Sequence, residues 1–264
     1  MSQTALVLSA GGMFGAYQAG AFKAIAALAP PDIVVGASVG ALNGFAIAGG
    51  CSPGELIDRW LDPSAGDTLR LFTEHGWRNG WFDPAPLRAQ AERLFGDFRP
   101  RLPFGVVTLE LPGLRRRLFR YPNVAPAHLQ ATCSIPLFLP SVKIEGKRHV
   151  DGGLFEKLPI QGALEMGATR IIAVDSMPRP GEWWMRLAID FACAFKPRRR
   201  YPKDLDLTIV SPSERLGSTR DAVFWKRENI ERWVELGRRD AARVLAAEPR
   251  PATGQVTLNS VLNP

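Results

Sequence analysis

The chain has 264 residues and 29.0 kDa, with 46% hydrophobic and 22% charged residues, a balance that excludes disordered and collagen-like chains and provides for one large core. A net charge of +7 and a pI near 9.7 suit an anionic surface, but no nucleic-acid module or RNP-like aromatic pattern accompanies the charge, so nucleic acid is set aside as a partner. Three cysteines, Cys51, Cys133 and Cys193, have neither metal-ligand spacing nor an even count, which points away from a disulfide framework and toward a reduced, cytoplasmic setting.

In chain order, Ala5 to Ser9 is an apolar run that predicts a strand, followed by the turn Ala10-Gly11-Gly12-Met13-Phe14-Gly15 and a helix from about Ala16 to Ala29. Strand, glycine turn and helix leave free backbone N–H groups at a helix N-terminus, where negative charge is favoured. That outlines an oxyanion hole. A dinucleotide fingerprint is the rival reading, but its first glycine is Ala10 here, and Asp32 sits at the start of the next strand rather than near its end.

Residues 34 to 40 then read Val-Val-Gly-Ala-Ser-Val-Gly, a strand from Asp32 running into G-x-S-x-G and an apolar helix from Val39 to Ala48. Small residues on both sides, Gly36 and Gly40 among them, let the chain turn sharply and lift the Ser38 hydroxyl out, which makes Ser38 the candidate nucleophile. Two long uncharged stretches lie in this region. Met1 to Phe22 lacks the basic start of a signal peptide and is interrupted by glycines, and Ile33 to Gly54 must bend at Ser38, so neither reads as a signal peptide or a transmembrane helix.

Further strands are predicted over Val106 to Leu111, Arg117 to Tyr121, Ile171 to Asp175 and Leu205 to Val210, and a long helix over Lys226 to Ala247. Between Gly181 and Pro202, the residues Trp184, Leu187, Phe191 and Phe195 form an apolar helical stripe followed by Arg198-Arg199-Arg200. That stripe reads either as a lid or membrane contact or as an ordinary buried helix. Residues 248 to 264 form a polar tail. Strands alternating with helices give a three-layer α/β/α sandwich with a mostly parallel sheet, one domain with a motif-bearing core over about 5 to 175 and a C-terminal strand and helix over about 205 to 247.

One block remains: Val150-Asp151-Gly152-Gly153-Leu154, preceded by Ala131-Thr132-Cys133-Ser134-Ile135-Pro136-Leu137-Phe138-Leu139-Pro140. With the glycine turn and G-x-S-x-G, it makes the chain resemble the patatin-like phospholipases, which carry these three blocks in this order. The resemblance implies that Ser38 is the nucleophile, that Asp151 is its side-chain partner in a dyad, and that Gly11, Gly12 and Met13 supply N–H groups to the oxyanion. It implies a lipid ester substrate, fatty acyl esters of phospholipids, lysophospholipids or simpler lipids, with no cofactor and no metal. Ala10 stands where the family usually has a third glycine, Phe14 where it has a basic residue, and Lys157 where it has asparagine. Phe14 is a candidate lining of the acyl pocket, and Trp184, Leu187 and Phe191 are candidate lipid contacts if the stripe is a lid or membrane contact and not a buried helix.

The histidines agree with a dyad. A Ser…Asp/Glu…His triad needs a histidine late in the chain, whereas His75, His128 and His149 all precede Asp151; a histidine base then requires His128 with an earlier acid such as Asp83, or a resemblance to malonyl transferases, against which Ala37 stands where those enzymes usually carry histidine. Arg115-Arg116-Arg117 and Arg198-Arg199-Arg200 divide between solvated surface and contact with an anionic membrane surface. Two other classes stay open, an NAD(P)-binding oxidoreductase and a catalytically silent basic membrane-binding protein. Oligomeric state is not readable from these residues.

Overall fold

The computed structural model describes residues 3–68, 82–177, 201–202 and 205–247. Among these residues eight strands form one sheet: β1 (Thr4–Leu8), β2 (Ile33–Ala37), β3 (Phe104–Leu111), β4 (Arg115–Arg120), β5 (Val142–Ile144), β6 (Lys147–Asp151), β7 (Arg170–Val174) and β8 (Asp206–Val210). Their order is β5-β6-β3-β2-β1-β7-β8, with β4 also paired to β3. Strands β3, β2, β1, β7 and β8 run parallel, while β4 and β6 lie antiparallel to β3 and β5 antiparallel to β6. The result is the mostly parallel, helix-flanked α/β architecture that the pattern predicts.

Helices α1 (Gly15–Leu28), α2 (Val39–Ala48), α3 (Pro53–Leu61), α4 (Pro84–Asp97), α5 (Pro126–Thr132), α6 (Ile160–Glu165) and α7 (Arg227–Ala247) cover the sheet. The central strands are apolar on both faces, as a parallel sheet covered on both sides requires. Leu6, Leu8, Val34, Phe104, Val106, Ile172 and Val174 join the core built with α1, α2 and α7, whereas Ala5, Val7, Ile33, Val35, Val107, Ile171 and Ala173 pack with Ile160 and Ala163 of α6. Strands β5 and β6 and the short helix α5 carry no strong period of their own, which is why pattern reading passes over them.

A buried polar chain ties the N-terminal helices together. Asn43 of α2 donates to Gly15 O and to Gln18 Oε1, both at 3.0 Å, and accepts from Trp60 Nε1 of α3 at 3.0 Å. Gln18 in turn donates to Ser9 O at 2.7 Å, where β1 enters the glycine turn. Every member is paired, so the network rigidifies the core instead of weakening it. Replacing Asn43 by Ala leaves the Trp60 N–H and Gln18 Oε1 without those partners, and urea unfolding of the variant should show a loss of about 2 to 4 kcal/mol.

Candidate active site

Strand β3 brings the two distant motifs together. Along one edge its first half pairs with β2, ending at Ala37 opposite Val107, and its second half pairs with β6, ending at Asp151 opposite Thr108. Because β2 is parallel to β3 and β6 antiparallel, the two chains run toward each other along that edge and leave it at adjacent positions. Ser38 is the first residue past the end of one strand, and Asp151 is the last of the other. Gly152 follows so closely on β3 that a Cβ there would meet Val107 O at 2.2 Å.

At the elbow the strained residue is Ser38 itself, with φ 54° and ψ −131°, a conformation that costs a non-glycine residue about 1 to 3 kcal/mol. Gly36 and Gly40 serve a different purpose from easing the turn. A Cβ on Gly36 would meet Gly40 O at 2.3 Å, and one on Gly40 would meet Leu8 O at 2.4 Å. The glycines therefore let α2 fold back onto β2 and β1, and the strain falls on the serine between them. The Ser38 N–H donates to Thr132 Oγ1 at 2.9 Å. Thr132 is a site residue that sequence reasoning passed over, although it lies within the quoted segment before Asp151.

Ser38 is 6% exposed and Asp151 3%. Burial pushes the Asp151 carboxyl up to about 7, against the opposing effects of the neighbouring Ser38 hydroxyl and of the Gly153 N–H, which donates to Asp151 Oδ1 at 2.7 Å. Desolvation outweighs these effects because an N–H and a nearby hydroxyl do not replace the hydration of a full negative charge. The half-buried Cys133 thiol adjoins the same pair, and burial with the nearby Asp151 charge raises its pKa well above the thiol range.

In the glycine turn, the Gly11 and Gly12 N–H groups have no acceptor among the described residues. Met13 corrects the expectation of a third donor, since its N–H is taken by Ala222 O at 2.8 Å. The Val39 N–H at the start of α2, which the motif reading does not include, also has no acceptor among the described residues, and the amide after an elbow nucleophile is a common oxyanion donor. Lys157 anchors the loop after Asp151: its Nζ donates to Asp175 Oδ2 at 2.9 Å and Met177 O at 2.8 Å, and its carbonyl accepts from Ala10 N at 2.9 Å. Thus the loop holds to the glycine turn without the asparagine.

Phe14 is also corrected. It is buried against Trp233, edge to face at 5.0 Å, and so belongs to the core and not to a pocket lining. His128 and Asp83 do not complete a triad: Nδ1 of His128 accepts from Ala125 N at 2.9 Å beside Phe119, and Asp83 caps α4 through Ala85 N. His149 Nδ1 is 2.9 Å from Thr108 Oγ1. Of the first arginine run, Arg116 pairs with Glu156 and Glu165, and Arg117 with Glu110, so internal pairing occupies much of that charge. His75, Cys193, Trp184, Leu187, Phe191, all but the last two residues of the stretch 181–202 read as a lid or a buried helix, Arg198 to Arg200 among them, and the tail 248–264 lie outside the described residues.

The architecture is similar to that of VipD from Legionella pneumophila, at a TM-score of 0.54 and 12% identity over 94% of this chain and 67% of that one. A looser likeness is to the type III effector protein ExoU, at a TM-score of 0.40 and 13% identity, covering 93% of this chain and 53% of that one. An α/β sheet with a serine elbow facing a carboxylate defines a broad class. The model of the patatin-like phospholipases matches residues 6–164, and the chain belongs to that family. Membership implies lipid acyl hydrolase activity and a lipid ester substrate.

The buried carboxyl has a measurable consequence for stability. Between its ordinary 3.8 and about 7, the folded chain holds a proton at Asp151 that the unfolded chain has released, so this group's contribution to stability is lost as pH rises through that window. Asp151→Asn removes the ionisation and keeps an acceptor for the Gly153 N–H. In thermal unfolding the variant should gain over wild type as pH goes from 5 to 8, by a few degrees at the upper end; a difference independent of pH would mean that Asp151 is ionised throughout.

Proposed function

We propose that this chain is a serine acyl-ester hydrolase that cleaves fatty acyl esters of phospholipids, lysophospholipids or simpler lipids with Ser38 as nucleophile and Asp151 as base, residues 1–264 forming a single domain. The observation that carries the proposal is the approach of the Ser38 hydroxyl to a carboxylate whose pKa burial has raised to about 7. An ordinary aspartate, near ~3.9, is a weak base, whereas one near neutrality is matched to working pH.

Asp151 takes the hydroxyl proton as Ser38 Oγ attacks the ester carbonyl, and the new C–O bond pushes the carbonyl electron pair onto oxygen. The free amides of Gly11, Gly12 and Val39 receive that oxyanion, each well-aimed donor being worth about 3 kcal/mol in the transition state. The proton on Asp151 passes to the leaving alcohol, and the acyl group stays on Ser38. Water, deprotonated by the same carboxylate, then attacks the acyl-enzyme; the fatty acid leaves and the proton returns to Ser38.

Apolar surface around the site suits a lipid substrate. Ile135, Leu137 and Phe138 follow Cys133 directly and are exposed, Leu137 to 81%, and Leu154, three residues past Asp151, is exposed as well. Large apolar side chains left in water beside a site mark a surface made for apolar material. With the net positive charge, this supports contact with an anionic lipid surface. No helix among the described residues is long and apolar enough to cross a membrane. The two other readings differ in outcome: an oxidoreductase requires nucleotide binding, and a silent membrane protein requires lipid binding without turnover.

Hydrolysis of p-nitrophenyl esters and position-labelled phospholipids by wild type, Ser38→Ala and Asp151→Asn tests the proposal. Both variants should lose at least about 1,000-fold in kcat while remaining folded. In the wild type kcat should rise with pH and level off above about 7, because the base must be ionised. A fluorophosphonate should label Ser38. Labelling elsewhere, or turnover in the Ser38→Ala protein, would reject the assignment.

A further inference from the structure

We propose that Thr132 is the positioning residue of the elbow, its hydroxyl standing in for the last backbone rung between β2 and β3. The parallel ladder runs from Val34 N to Pro103 O at 2.9 Å, and donors on a parallel strand recur at every second residue. Gly36 N then faces Gly105 O, and Ser38 N faces Val107 O. That last rung is not made directly. Ser38 N donates to Thr132 Oγ1 at 2.9 Å, and the Thr132 hydroxyl donates to Val107 O at 2.6 Å.

One side-chain oxygen is therefore inserted into the ladder where β2 ends. Its insertion has three effects. It moves Ser38 off the edge of β3 by the width of a hydroxyl, which makes room for Asp151 to end opposite Thr108. It satisfies two buried backbone groups that the turn would otherwise strand, at about 1 to 3 kcal/mol each. It also holds Ser38 at φ 54°, an unfavourable conformation that needs an external restraint to persist.

The same turn of chain holds the other partner. Two residues on, Ser134 O accepts from Asp151 N at 3.0 Å, and Ser134 Oγ returns to Gln130 O at 2.9 Å within α5. The end of α5 thus fixes the backbone of Ser38 through a side chain and that of Asp151 through a carbonyl. Thr132 is fully buried, so bulk water does not reach its hydrogen bonds, and a valine of the same shape leaves no room for a water in place of the hydroxyl.

The activity readout rests on the ester-hydrolase reading, whereas the clamp is tested independently by hydrogen exchange of the Ser38 amide. Thr132→Val keeps the shape and removes the hydroxyl; Thr132→Ser keeps the hydroxyl and removes a methyl group. Expected for Thr132→Val are a fall in kcat of about 10- to 100-fold with KM within about 2-fold, and exchange of the Ser38 amide faster by about 10-fold or more. Thr132→Ser should stay within about 3-fold of wild type in kcat and keep the amide protected.

Two results would overturn the proposal: a protected Ser38 amide and full kcat in Thr132→Val, or equal damage in the serine variant, which would make the methyl group the important part. Should Thr132→Val fail to fold, Thr132→Ala against Thr132→Ser gives the same contrast. If wild type hydrolyses no ester, the functional reading fails, and the exchange contrast between the variants still decides the clamp.

Discussion

The site depends on one edge of β3 being shared by two strands of opposite direction. A strand offers one row of donors and acceptors on each edge, and two chains cannot occupy the same stretch of it. Because β2 ends opposite Val107 and β6 ends opposite Thr108, their ends collide, and both chains turn out of the sheet at that point. The residues at the collision are Ser38 and Asp151. Neither the elbow nor the Asp-Gly-Gly turn has any local reason to meet the other, since more than a hundred residues separate them. The register of β3 supplies that reason.

Burial of this junction decides its chemistry. The same packing that excludes water from Asp151 lifts its pKa to about 7, which suits the base proposed for it to neutral pH and costs stability where the carboxyl is ionised. Strain at Ser38 is a second local cost. The surrounding structure carries both: the core on the α1, α2 and α7 face, the Asn43 and Gln18 network beneath the glycine turn, and the ties from Lys157 to Asp175 and to Ala10. A site held on several sides can keep conformations that a loop alone would relax.

Much of the fold was readable because parallel strands buried on both faces are short continuous apolar runs, as in Ala5 to Leu8 and Ile33 to Ala37, and because α2 and α7 are long enough to be distinct. The antiparallel part was harder. In β6, Lys147-Arg148-His149-Val150-Asp151 has little apolar period, and it is a strand because β3 and β5 pair with it. Met13 and Phe14 were misread for a related reason. Their N–H and ring are claimed by Ala222 and Trp233, roughly two hundred residues away, and no local pattern reports a partner at that distance.

By itself the sequence determined that the chain has a strand, a glycine turn, a serine elbow and an Asp-Gly-Gly turn, because each of these is set by the size and backbone freedom of neighbouring residues. Tertiary structure alone decided what those pieces do to one another. It set which strands share β3, which amides remain free, that Thr132 bridges Ser38 and Val107, and how far the Asp151 pKa rises. These are properties of desolvation and long-range hydrogen bonding, which exist only once distant segments have excluded water between them.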